Sequence, residues 1–136
     1  MATARLRYLG NLRTELTHVQ SGNVVITDAP VDNHGKGEAF SPTDLLSASL
    51  AACMVTIIGI AANAHGIELG GVEAETTKTM VSDPRRVGKI EISLRFLNGG
   101  AFDDKTRKII ERSALTCPVY LSLHPDLEKV VHFLWK

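Results

Sequence analysis

Residues 41–66 read Ser41-Pro42-Thr43-Asp44-Leu45-Leu46-Ser47-Ala48-Ser49-Leu50-Ala51-Ala52-Cys53-Met54-Val55-Thr56-Ile57-Ile58-Gly59-Ile60-Ala61-Ala62-Asn63-Ala64-His65-Gly66, and the reading of this stretch decides the fold. Ser41 can cap free backbone amides, Pro42 sits where its missing N–H does no harm, and Asp44 completes a capping-box-like pattern. Gly66 is a C-terminal stop, so the pattern predicts a helix from Ser41 to about His65. Leu45 to Ala62 carries no charge and is long enough to raise the question of a membrane span. The run is rich in Ala and Ser, and neither end carries a basic cluster. It therefore reads as the central buried helix of a globular protein, with no membrane partner expected. Leu46, Leu50, Cys53, Ile57 and Ile60 follow helical spacing and are expected on one buried face.

On the N-terminal side, three short strands are predicted: 5–9, 12–19 and 24–28. Gly10-Asn11 breaks the first pair, and Ser21-Gly22-Asn23 between two β-prone runs is a hairpin signal. Residues 29–40 form a loop, with Pro30, Asp32, Asn33, Gly35 and Gly37 as breakers. On the C-terminal side, 72–81 alternates weakly up to the turn Ser82-Asp83-Pro84. Residues 89–96 alternate cleanly, with Ile90, Ile92, Leu94 and Phe96 facing one way, which predicts a half-buried strand paired with the one before it. Asp103 or Asp104 caps a second helix carrying Ile109, Ile110 and Ala114. Cys117-Pro118 opens a short third helix to about Leu123, stopped at His124-Pro125. Residues 128–135 close the chain as a strand. The order β-β-β-α-β-β-α-α-β, without repeats or a linker, predicts a single α+β domain over residues 1–136.

The 136 residues are 44% apolar, enough for one domain with its own core. Fifteen Lys and Arg balance fifteen Asp and Glu, so the basic footprint of a nucleic-acid binder is missing. Low net charge also favours self-association. There are two cysteines and no signal-peptide pattern, so the expected location is cytoplasmic. There a permanent disulfide is out of place but a transient redox pair is not. Two cysteines are too few for a thiolate zinc cage, and His18, His34, His65, His124 and His132 show no ligand rhythm. Neither a metal site nor a bound cofactor is expected.

Position alone favours a packing role for Cys53, because free cysteines in apolar helices are commonly small core residues. Cys117 precedes Pro118 at a predicted helix start, where unpaired amides favour an anion and lower a thiol pKa. A reactive and a structural role are equally open for it. Thiol peroxidase chemistry needs a thiolate, a cation to hold it ionised, and a second thiol to trap the sulfenic acid. Arg5, Arg7 and Arg13 are the cations of the early strands. Arg13, just after Gly10-Asn11, is best placed, with a solvated surface charge as the alternative reading.

Ser41-Pro42-Thr43-Asp44-Leu45-Leu46 leading to Ala51-Ala52-Cys53, with Cys117-Pro118-Val119 and Leu123-His124-Pro125 later, resembles the OsmC/Ohr family of osmotically inducible and organic-hydroperoxide-resistance proteins. The resemblance covers nearly the whole chain. It implies an OsmC-like fold of antiparallel sheets around a long central helix, in an intertwined homodimer with active sites at the subunit interface. It also implies that Cys53 is the peroxidatic and Cys117 the resolving cysteine, and that Arg13 binds the thiolate. Better-studied members carry a glutamate after the helix-opening proline, paired with that arginine. Thr43 stands there in this chain, so either Asp44 or Glu38 substitutes or the arginine is held differently.

The function so implied is reduction of organic hydroperoxides, in defence against oxidative stress. Cys53 attacks the peroxide, its sulfenate condenses with Cys117, and an external dithiol, in the family commonly a lipoyl group, reduces the disulfide. The apolar side chains around Cys53 (Leu50, Met54, Ile57) favour an organic substrate. The competing readings are a non-catalytic protein holding an apolar ligand on the same scaffold and a thiol redox sensor.

Overall fold

The computed structural model describes residues 1–136. In chain order it contains β1 (Ala4–Gly10), β2 (Arg13–His18), β3 (Val24–Asp28), a single 3-10 turn at Val31–Asn33, and α1 (Pro42–Ala64). There follow β4 (Val72–Val81), β5 (Arg86–Phe96), a second 3-10 turn at Gly99–Ala101, α2 (Asp104–Leu115), α3 (Pro118–Ser122) and β6 (Glu128–Trp135). Strand and helix order match the expectation, and the fold is α+β with two three-stranded sheets. The chain divides into two units, Met1–Leu46 and Ser47–Lys136.

The N-terminal unit is the antiparallel sheet β1-β2-β3. Its first turn holds three successive residues in the left-handed region: Gly10 (φ 85°), Asn11 (φ 54°) and Leu12 (φ 64°). At the Ser21-Gly22-Asn23 turn, the His18 N–H donates to the Asn23 carbonyl at 2.8 Å and the Gly22 N–H to the His18 carbonyl at 2.7 Å. Those two turns set the register, which places Arg13 opposite Asp28. The loop after β3 folds back on the sheet: the Asp28 N–H donates to the Phe40 carbonyl (3.1 Å) and the Gly37 N–H to the Ala29 carbonyl (3.2 Å). Only glycine fits at position 35, where a Cβ would stand 1.7 Å from the Ala29 oxygen. The loop ends in the expected capping box, with the Asp44 N–H donating to Ser41 Oγ (3.0 Å) and the Ser41 N–H to Asp44 Oδ2 (2.9 Å).

In the C-terminal unit, β4 pairs antiparallel with β5 as expected, but β6 runs parallel to β5. Parallel neighbours need a long crossover, and residues 97–127, with α2 and α3, provide it. Ile90, Ile92, Leu94 and Phe96 are fully enclosed, as their alternation predicts. They share the core with Leu50, Met54 and Ile58 of α1 and with Ile110 and Ala114 of α2. Each large side chain so buried contributes roughly 1.5–3 kcal/mol. Phe96 stacks on Trp135 with ring centroids 4.8 Å apart, and the Arg107 guanidinium lies 5.1 Å from the Trp135 ring centre.

Along α1 the buried residues are Ser47, Leu50, Ala51, Met54, Ile58 and Ala62. This corrects the expected face: Leu46, Cys53 and Ile57 are half-buried and Ile60 is 60% exposed. A helix that is apolar all round has no sequence-encoded inside, so burial follows the side on which the core lies. By length and composition α1 is sufficient to cross a bilayer. Its enclosed Leu50, Met54 and Ile58 make it a core helix.

Candidate redox site

Cys117 follows the end of α2 and is the N-cap of α3, with Pro118 at the first helical position. The Tyr120 N–H donates to Cys117 Sγ at 3.4 Å. The side chain is fully buried. Burial pushes its thiol above the ordinary value of 9.0, against the Tyr120 amide, which pulls it down. A helix start was expected to acidify this thiol; desolvation outweighs that effect.

Cys53 lies on the half-buried flank of α1, and both cysteines are free of a disulfide in this structure. Cys53 is a neighbour of Cys117 and raises its thiol further. Both cysteines belong to the C-terminal unit.

Arg13 belongs to the N-terminal unit. Its Nε donates to Asp28 Oδ1 at 2.7 Å and its Nη2 to Asp28 Oδ2 at 2.8 Å, a two-pronged fork. Nη2 also reaches Glu38 Oε1 at 2.9 Å. Asp28 is 1% exposed, Arg13 33% and Glu38 65%. The Arg13 hydrogen bonds hold the Asp28 carboxyl below its ordinary range against the penalty of burial, helped by the Glu38 N–H. The same bonds raise Arg13. Of the two expected carboxylates, Glu38 bonds Arg13, while Asp44 caps α1 and Thr43 Oγ1 lies 3.2 Å from Ser41 Oγ. Asp28 was not singled out in the sequence. The signal was available in the hairpin register, which sets it opposite Arg13.

A cleft of about 260 Å³, lined by Leu9, Gly10, Asn11, Arg13 and Lys36, opens beside the guanidinium. A larger cavity of about 610 Å³, lined in part by His65, Leu97, Phe102 and Thr106, contains none of these residues. No cluster of three or more His, Cys, Asp or Glu that could hold a metal ion is formed.

A sequence profile of the family described as OsmC-like protein matches residues 35–128. No curated protein matches the chain. Among solved structures, a candidate osmotic stress induced and detoxification response protein from Psychrobacter arcticus is 55% identical, with 98% of this chain and 96% of that one covered and a TM-score of 0.93. The organic hydroperoxide resistance protein OsmC of Legionella pneumophila is 18% identical, with 98% of each chain covered and a TM-score of 0.73. The organic hydroperoxide resistance protein OhrB of Bacillus subtilis is 16% identical, with 97% and 98% covered and a TM-score of 0.68; these two share the fold. On the profile match and on the 55% identity, the chain belongs to the OsmC-like protein family.

Proposed function

We propose that the protein reduces organic hydroperoxides to alcohols, with Cys53 as nucleophile, Cys117 as resolving thiol and Arg13 as the donor that holds the Cys53 thiolate. The two units act together as one domain in this reading. The observation that carries it is the thiol pair: half-buried Cys53 beside fully buried Cys117, whose thiol is pushed up by burial and by its neighbour. The Cys53 thiolate attacks the distal peroxide oxygen, the O–O bond breaks, and the alkoxide leaves as alcohol after taking a proton. The Cys53 sulfenic acid then meets Cys117, whose thiol proton joins the departing hydroxyl as water while the S–S bond forms. An external dithiol, a lipoyl group being the expected kind, restores both thiols in two exchange steps. Ile57, half-buried like Cys53 and one helical turn further along α1, suits an organic rather than an inorganic peroxide. We place the enzyme in the cytoplasm, as a homodimer.

The experiment is consumption of tert-butyl hydroperoxide with a dithiol reductant by wild type, Cys53→Ser and Cys117→Ser. The expected result is turnover in wild type, none in Cys53→Ser, and a single turnover followed by inactivation in Cys117→Ser. Equal consumption by all three would favour the non-catalytic binding protein.

A further inference from the structure

We propose that Asp28 is the positioning residue for Arg13: its buried carboxylate fixes the Nε–Nη2 edge of the guanidinium and thereby aims the remaining Nη1 edge. This rests on the role given to Arg13 in the proposed function and names a residue that role requires.

Three observations carry it. The first is the fork itself, with two bonds of 2.7 and 2.8 Å from one guanidinium edge to both oxygens of one carboxylate. A planar fork of this kind fixes orientation as well as distance. The second is the setting of the two carboxylates. Asp28 is 1% exposed, so an unpaired charge there would be costly and the pair is permanent. Glu38 is 65% exposed, where an ion pair is weak and easily exchanged for water. The third is the backbone. Leu12, with φ 64°, precedes Arg13 and is held from both sides: its N–H donates to the Tyr8 hydroxyl (3.1 Å) and its carbonyl accepts from the Ala29 N–H (3.1 Å). The Ala29–Leu12 bond ties the residue after Asp28 to the residue before Arg13, so both ends of the fork rise from one fixed piece of backbone.

Two carboxylates face one guanidinium, and Lys36 nearby adds a second positive charge, so the cluster carries no net positive charge. Arg13 therefore offers a thiolate little net charge. What it has to offer is directed N–H groups, and those depend on orientation. Arg13 also lines the cleft shared with Asn11 and Lys36, which leaves room beside the guanidinium for a reacting group.

The test exploits two substitutions with the same change of charge. Asp28→Asn and Glu38→Gln each remove one negative charge, but only the first breaks the fork. The account expects Asp28→Asn to lose tenfold to about a hundredfold in kcat/KM for tert-butyl hydroperoxide, the scale of a misplaced positioning group. Glu38→Gln is expected to stay within about threefold of wild type, since an exposed pair contributes little. In an Arg13→Lys background, where no fork exists, Asp28→Asn is expected to add less than about twofold, because effects of groups acting as a unit do not add. A purely structural role would add in full, and that result would overturn the proposal, as would equal effects of Asp28→Asn and Glu38→Gln. Should Asp28→Asn not fold, Asp28→Glu keeps the charge, displaces the fork by one methylene, and carries the same expectation.

Proton exchange at Arg13 Nε, read by nitrogen-edited NMR, gives a readout free of turnover. A slowly exchanging signal is expected in wild type and Glu38→Gln and its loss in Asp28→Asn; a signal that survives Asp28→Asn overturns the proposal. A wild type that consumes no hydroperoxide would sink the peroxidase reading instead, and the exchange pattern alone would then decide whether Asp28 holds Arg13.

Discussion

Cys117 and Cys53 differ in one physical respect that governs the chemistry, access to solvent. Cys117 is fully buried and its thiol is pushed up by burial, whereas Cys53 lies half-exposed on α1. Iodoacetamide at neutral pH is therefore expected to modify Cys53 well before Cys117, with peptide mass mapping as the check; preferential labelling of Cys117 would reverse the assignment of roles. Asp28 makes a second prediction. Its pKa is depressed by the Arg13 bonds, so the folded state binds this proton less readily than the unfolded chain. The stability it confers is complete above its ordinary value of 3.8 and is lost as pH falls below it. Denaturant midpoints measured from neutral pH down to strongly acidic pH should fall less steeply for Asp28→Asn than for wild type. The cysteines and Arg13 were legible in the sequence because of their residue type and their neighbours. Asp28 was not, because an aspartate as the last residue of a predicted strand, before Ala-Pro, carries no mark of its partner. Only the register of β2 against β3 turns it into a partner.

At the scale of elements, the caps and breaks were the most readable features. The Ser41–Asp44 box was visible as a pattern and is present as two reciprocal hydrogen bonds. Ser41→Ala is expected to cost about 1 kcal/mol, measured by chemical denaturation. The first turn holds a side chain where glycine is favoured: Leu12 has φ 64° and is 44% exposed. Leu12→Gly is expected to raise stability by about 1 kcal/mol in the same assay, since the left-handed conformation carries a cost of that order for a residue with a Cβ. Two features escaped the sequence for definite reasons. The inward face of α1 was placed on Leu46, Leu50, Cys53, Ile57 and Ile60 because an all-apolar helix offers every face equally; of these the core takes Leu50, joined by Met54 and Ile58. The direction of β6 depends on where the crossover through α2 and α3 delivers the chain, and alternation within a strand carries no record of that.

For the whole molecule, the chain leaves much apolar surface in solvent: Leu6 is 64% exposed, Tyr8 60%, Ile60 60%, Val24 52% and Phe40 55%. A neutral chain with such surface is prone to self-association, in keeping with the homodimer we propose. Sedimentation velocity should show a dimer, and Ile60→Asp, which puts a charge on the exposed flank of α1, should shift it toward monomer. A wild-type monomer would remove the dimer from the account. The central claim is that Cys53 and Cys117 form one redox pair within a chain. The direct measurement is mass spectrometry of the reduced protein after one equivalent of tert-butyl hydroperoxide, with peptide mapping. The account predicts loss of two hydrogens and a Cys53–Cys117 disulfide inside a single chain. A persistent sulfenic acid at Cys53 with Cys117 still reduced, or a disulfide only between chains, would contradict it.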